Sequence, residues 1–453
     1  MTPGSRAREQ RPHEPYAHEQ GDHGQGDHGQ GDHGQGARGR RADGTPRVVV
    51  TGFGVKSPAG GTPAEVLATV LAGKSQAVHV PELMEAGTAV SFGCPAQPLD
   101  EERYFGKPER RRLDRMTKLG VAAADDAVAD AGAWHGGAPG RRGVYVGTAA
   151  AGLASTVALG GHEHAGTLDR VPVPAVPQIM PNATAANVSI RHGCEGPCLT
   201  YSTGCASGAT AIGEAVLAIR AGRIDTAVAG GVDAILTPFV MTAFARIGAL
   251  ARRDPTPHTA GRPFDADRDG FVVGEAAAFL VLERADRAAA RGARVYGEVA
   301  GYACAADAAH LVQPRPDGEV AARCMTAALA DAGIAPHAVG HISAHATGTR
   351  GNDGAEALAI DRCFGGRTPP VTATKGVTGH ILGAGGALQA MVALLSAADG
   401  LVPPTANFAA PDAETGLVDV VHGEPRAIAP AAPALSNSFG FGGHDATLVL
   451  TPA

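Results

Sequence analysis

The chain has 453 residues, enough for two or three ordinary domains or one large duplicated one. Hydrophobic residues make up 44% but aromatics only 4%, so a large core would have to be built from small side chains. The formal charge of −7 gives no reason to expect nucleic-acid binding, and seven scattered cysteines argue against a secreted disulfide framework.

Residues 1–45 are polar and carry the repeat GDHGQGDHGQGDHGQ, with His18, His23, His28 and His33 recurring every five residues. Such a segment cannot bury enough apolar surface to fold, so a disordered tail is expected. Its histidines could bind Zn²⁺ or Ni²⁺ loosely; a solvated tail is the plainer reading. The opening MTPGSRAREQ lacks the apolar run of a signal peptide, and no uninterrupted apolar stretch looks long enough to cross a bilayer. A soluble, cytoplasmic protein with no membrane contact is expected.

Folding is expected to begin at RVVVTGFGV from Arg47, a β-branched strand with a glycine turn. A basic helix near KPERRRLDRMTKLG runs on into VAAADDAVADAG. RGVYVGTA, CLTYSTG, TAVAGGVDAI and AAAFLVLER read as strands of a first half, 46–290. The second half, 291–453, brings RVYGEVAGYACAAD, helix CMTAALADAG, strand HISAHATGT, helix GAEALAIDRCFG, strand PPVTATKG and the closing DATLVLTP. Alternating strands and helices predict a layered α/β architecture. GATAIGEAVLAIRAG (208–222) and GALQAMVALLSAADG (386–400) have equal length and are apolar nearly all round. Helices of that kind are buried, so the pair suggests an internal duplication with both at the centre.

Cys205 lies where CLTYSTG meets the first of these helices. It is either a small hydrophobe filling a gap or a nucleophile at a helix N-terminus, where free N–H groups would lower a thiol's pKa and could hold an oxyanion. Three glycine-rich segments add polar groups: HISAHATGTRGND with His345, TATKGVTGHILGAGGA with Lys375 and His380, and SNSFGFGGHDA. In layered α/β folds, strand ends collect catalytic groups.

The segments STGCASG, GRPFDADRDGFVVGEAA, AHATGT, KGVTGH and NSFGFGGHDA occur in an order and spacing similar to those of β-ketoacyl-[acyl-carrier-protein] synthases of the elongating kind. The resemblance covers about residues 47–452. It implies a thiolase-like, five-layered αβαβα fold of two similar halves, and a dimer, either with itself or with a chain-length-factor paralogue. It implies that Cys205 is acylated, that His345 and His380 bind a malonyl thioester and promote its decarboxylation, and that Lys375 orders the site electrostatically. Asp353, with Thr347 and Thr349, would support the His345 loop. Phe441 matches a gating phenylalanine, its N–H and that of Cys205 forming an oxyanion hole. No metal or redox cofactor is implied, since the substrates travel on the 4'-phosphopantetheine of an acyl carrier protein.

Some positions depart from the family pattern. Gln389 stands where relatives commonly have a Glu; it can hydrogen-bond Lys375 without neutralising it. Ala150 falls at the expected floor of the acyl pocket, and Pro174 and Ala175 near the dimer boundary, all three small. A roomy tunnel is expected, as for specialised polyketide or lipid chains. Arg110, Arg111, Arg112, Arg115 and Lys118, with Arg246, Arg252 and Arg253, form either solvated faces or a docking face for an acidic carrier. DADRDG (265–270) starts like a calcium loop but has Ala276 where an EF-hand needs an acid, so it reads as structural. Cys194 and Cys198 have no second pair to complete a metal site and also read as structural. A chain-length factor would lack Cys205, a thiolase would carry a second cysteine near the C-terminus, and a papain-like hydrolase would not share the other motifs.

Overall fold

The computed structural model describes residues 39–132, 137–252 and 256–453. Ten strands carry the architecture: β1 Val48–Lys56, β2 Arg142–Gly147, β3 Cys198–Tyr201, β4 Thr226–Asp233, β5 Ala276–Arg284, β6 Gly297–Ala306, β7 His341–Ser343, β8 Val371–Thr372, β9 Ala434–Gly440 and β10 His444–Pro452. They pair in the order β8-β7-β9-β10-β6-β1-β5-β4-β2-β3. Each set of five repeats one topology. In the first, β1–β5 and β5–β4 are antiparallel, while β4–β2 and β2–β3 are parallel. In the second, β6–β10 and β10–β9 are antiparallel, while β9–β7 and β7–β8 are parallel. The sets meet only where Val49 faces Glu298 and Val50 faces Gly297.

Six helices complete the layers. Helices α1 Arg115–Ala131 and α2 Ala183–His192 cover one outer face, and α3 Ser207–Arg220 lies inside. In the second half α4 Glu319–Ala332 and α5 Arg350–Phe364 cover the other outer face, and α6 Gly385–Asp399 lies inside against α3. Three apolar clusters fill the spaces: one under α1, one between the sheets around Ile212 and Leu388, one under α4 and α5. The result is the thiolase-like αβαβα arrangement. Strand β5, AAAFLVLER, is buried along all but its last residue. Cover on both faces explains its unbroken apolar run. Helices α3 and α6 approach closely because their contact is glycine: a Cβ on Gly208 would stand 2.4 Å from the Gly383 carbonyl, and one on Gly386 would stand 2.5 Å from the Ala209 nitrogen.

Two sequence expectations are corrected, and one strand is added. The basic helix is two: Lys107–Arg112 ends at an extended Leu113, which turns inward, and Asp114 caps α1 by accepting from the Thr117 N–H at 3.0 Å. The glycine-rich SNSFGFGG begins as strand β9, paired on both sides and therefore buried despite its polar residues. Residues 1–38, with the histidine repeat, lie outside the described residues, but the expected tail does not extend to 45. Arg41 donates to the Ala300 carbonyl at 2.6 Å and pairs with Asp331 at 3.0 Å, fastening residues 39–45 to the second half. Leu382–Asp399, interrupted by Gln389, has the length and mean hydropathy of a membrane-crossing helix, but 83% of it is buried inside the protein. It is a core helix.

Candidate active site

The cleft between the halves opens above the N-terminus of α3, with a volume of about 550 Å³. Its base is Cys205, 7% exposed. After β3, Gly204 turns the chain with φ +55°, in a space where a Cβ would stand 3.0 Å from the Phe441 carbonyl. Only glycine suits both demands. Ser207 fixes the turn, accepting from the Thr203 N–H at 2.9 Å and donating to the Gly204 carbonyl at 2.6 Å.

The second half supplies the polar groups. His380 Nε2 stands 3.0 Å from Cys205 Sγ. Its Nδ1 accepts from the Leu382 N–H at 3.4 Å, which leaves the ring proton on Nε2, facing the sulfur. His345 lies 5.5 Å away, ring to ring and nearly perpendicular. Its Nδ1 faces Lys375 Nζ at 3.3 Å. The ammonium is a donor, so the His345 proton also resides on Nε2. Burial and the Lys375 charge hold both imidazoles well below the usual histidine pKa, so both are neutral N–H donors at pH 7.

Lys375 Nζ donates to the His345 carbonyl and, at 2.7 Å, to Gln389 Oε1. The Gln389 amide in turn donates to the Ala344 and Asn437 carbonyls at 2.9 and 3.1 Å. A carboxylate could accept from Lys375 but could not serve those two carbonyls. Burial pulls the Lys375 pKa down.

The sulfur departs from expectation. Burial pushes the Cys205 thiol up to about 11, although Lys375 and the backbone N–H groups of Phe441 and Cys205 pull the other way. The helix terminus does not overcome desolvation of a sulfur sealed at the base of a cleft.

Asp353 accepts from Gly348 N–H at 3.1 Å and Phe264 N–H at 2.7 Å. Thr347 and Thr349 line the cleft with hydroxyls 2.9 Å apart, and Thr349 caps α5. Sequence reasoning missed Glu356, which accepts from the backbone N–H groups of His345 and Ala346 at 2.8 and 2.7 Å. An acid three residues past Asp353, within the apolar run GAEALAI, was its available signal. Asp233 was also missed. It gathers the N–H groups of Ala149, Ala150 and Gly383 and the Thr148 hydroxyl.

The remaining residues are scattered. Ala150, like Leu153 and Leu236, packs against the apolar cluster that includes Cys205 but does not line the cleft itself. Pro174 and Ala175 are half-buried on an exposed segment and do not line the cleft. Three of the helix cations are paired: Arg110 with Glu102 at 2.6 Å, Arg115 with Glu275 at 2.6 Å and Lys118 with Glu101 at 2.9 Å. Arg111 and Arg112 are exposed. Arg246 is exposed beside Ile247, a cleft-lining residue, while Arg252 folds back onto the Ala245 carbonyl. Arg253 lies outside the described residues. Asp265, in the DADRDG loop, accepts from Asp267, Ala409 and Ala410 N–H groups, which is a structural use. Cys194 is buried and Cys198 exposed, and neither is bonded to another cysteine. Cys205, His345 and His380 are the one set of thiol and imidazole groups among the described residues whose ligand atoms lie within 4.8 Å of one another, a donor set that zinc accepts.

A buried thiol facing two neutral imidazole donors in a thiolase-like layered fold suits a cysteine-dependent acyltransferase. The comparisons agree. Residues 45–288 match the β-ketoacyl synthase N-terminal domain and residues 296–409 the C-terminal domain. The 3-oxoacyl-[acyl-carrier-protein] synthase 2 of Vibrio cholerae is 37% identical over 411 residues, 89% of this chain and 98% of that protein. A solved ishigamide ketosynthase/chain length factor aligns with TM-score 0.84 and 33% identity, over 90% of this chain and 100% of that one. A type II polyketide synthase acyl-carrier protein in complex with its ketosynthase, bound to the hexaketide, aligns with TM-score 0.83 and 31% identity over 90% and 100%. The chain belongs to the β-ketoacyl synthase family and is a 3-oxoacyl-[acyl-carrier-protein] synthase.

Proposed function

We propose that Cys205 accepts the acyl chain from a carrier thioester and that His345 and His380 drive the decarboxylation of a malonyl thioester beside it. The observation that carries this reading is the tautomer pair: both rings are held by Nδ1 and present Nε2–H toward the sulfur and the cleft. Two neutral donors suit the oxygen of an enolate, where charge develops as CO₂ leaves. The C–COO⁻ bond breaks and its electron pair becomes the enolate. The enolate carbon attacks the Cys205 thioester, and the C–S bond breaks. The sulfur leaves as thiolate and, with a pKa pushed up to about 11, takes up the one proton the reaction consumes. The N–H groups of Phe441 and Cys205 would hold the thioester oxygen.

The partner on this reading is an acyl carrier protein, as in the solved ketosynthase complex. Exposed Arg246 and Ile247 at the cleft mouth, and exposed Arg111 and Arg112, are its candidate contacts. A second subunit is favoured by an exposed apolar face: Val173, Val176 and Ile190 stand out from it, and Leu199 lies on the sheet's edge strand β3. Whether that subunit is a copy or a chain-length-factor paralogue, the small side chain of Ala150, packed against the cluster that includes Cys205, favours a long or rigid chain, and hence a specialised polyketide or lipid pathway. The chain divides on this reading at 290/291, with the thiol in one half and the imidazoles in the other. The test is the intact mass of carrier-bound products after the purified protein receives malonyl-carrier and a panel of acyl-carriers. Products two carbons longer support it; hydrolysis without extension would refute it.

A further inference from the structure

The reading above leaves the cleft carboxylates of Asp445 and Asp307 unused. Asp445, 4% exposed, follows the Gly442–Gly443 turn and lines the cleft with Asp307, Phe439 and Pro314. Its Oδ2 is buried without a hydrogen-bond partner. A carboxylate so placed is costly; a neutral carboxylic acid is far less so.

Asp307 begins the segment 307–318, which holds the 440–443 turn by backbone bonds. Asp307 N–H donates to the Gly443 carbonyl at 2.9 Å, and Gly442 N–H donates to the Leu311 carbonyl at 2.7 Å. The Asp307 carboxylate accepts from Arg315 N–H at 2.8 Å. The segments touch: a Cβ on Gly443 would stand 2.7 Å from Asp307 Cβ.

The groups that face Asp445 give it no counter-charge. Asp307 comes from the segment and Glu356 from α5, both acidic; the Cys324 thiol comes from α4. Across the sheet its neighbours are Phe439 on β9 and Ala305 on β6. On its own strand, His444 turns its ring over Gly442. Within the segment, Arg315 commits its guanidinium to Asp317 and Glu319, and His310 accepts from Val312 and Gln313 N–H groups.

We propose that Asp445 and Asp307 form a proton-dependent latch: a proton on Asp445 keeps the 440–443 turn docked on segment 307–318, and its loss sets two carboxylates against each other and frees the turn. Burial, then Asp307 and Glu356, push Asp445 up to about 8, which closes the latch at neutral pH and opens it on the alkaline side. The turn carries the Phe441 N–H, so opening withdraws that donor from Cys205. The effect on rate therefore rests on the reading of Phe441 as an oxyanion donor; the motion of the turn does not.

Asp445→Asn tests the latch, since the amide has the same shape and cannot ionise. Hydrogen exchange of peptides covering 307–316 and 440–443 is compared between the two proteins at the same pH, so intrinsic exchange cancels. The wild type should exchange these segments faster than the variant at pH 9 and equally at pH 6.5. Condensation, each protein referred to its own rate at pH 7, should fall about tenfold more per pH unit above 8 in the wild type, as one ionisation dictates. Equal exchange in both proteins at pH 9 overturns the latch. If Asp445→Asn fails to fold, Asp307→Asn replaces it: removing the repelling charge should move the opening to higher pH, and an unmoved opening overturns the proposal.

Discussion

The two halves place different chemistry at equivalent points of one topology. In the first, β3 runs into Cys205 and then α3; in the second, β8 runs into Lys375 and His380 and then α6. The end of β2 carries Ala149 and Ala150, and the matching end of β7 carries His345. The end of β4 carries Asp233, which binds backbone of both halves, and the matching end of β9 carries Phe441. One half offers a lone, desolvated thiol among alanines and glycines. The other offers two neutral imidazoles, a buried ammonium and their supports. The difference teaches that the fold supplies paired strand ends, while the proposed reaction would use them unequally: an acyl acceptor on one side and proton-bearing donors on the other.

This division can be broken from the second half first. His345→Ala and His380→Ala should each lower CO₂ release from malonyl-carrier by roughly 10²–10³-fold, the usual cost of removing an oxyanion donor. Both should still acylate Cys205. Normal CO₂ release by both variants would contradict the assignment of roles.

The contact between the halves comes next. Gly386→Val puts a side chain where even a Cβ would stand 2.5 Å from the Ala209 nitrogen. Overpacking of that kind costs about 1–3 kcal/mol, and thermal denaturation should show it as a lower Tm. An unchanged Tm would mean that α3 and α6 do not meet as described.

The smallest effect tests the first half's pocket. Ala150→Phe should slow long acyl chains about tenfold relative to short ones, if overpacking the tunnel costs about 1.4 kcal/mol. An equal loss at every chain length would mean general damage, because the Ala150 N–H also anchors to Asp233 at 3.1 Å.

Much of this was legible in the sequence, for identifiable reasons. Cys205, His345, Lys375 and His380 stand in glycine-rich strand ends, and a strand end is a local feature. The equal apolar helices at 208–222 and 386–400 announced the duplication because helices without a polar face must be buried. What could not be read depends on distant partners. Glu356 matters because β7 brings two backbone N–H groups to it, and Asp233 because loops 84 and 150 residues away converge on it. The Cys205 pKa was misjudged for a similar reason. A helix terminus is visible in sequence, but the closing of the cleft above it is not. The fate of the basic stretch was hidden too, since Glu275, which neutralises Arg115, lies 160 residues on.

The account turns on Cys205 as the group that holds the chain while the second half works. The direct measurement is intact mass followed by peptide mapping after acyl-carrier is added without malonyl-carrier. The account predicts one acyl adduct per chain, on the peptide containing Cys205, and none on Cys205→Ala. An adduct on another residue, or one that persists in Cys205→Ala, would contradict it.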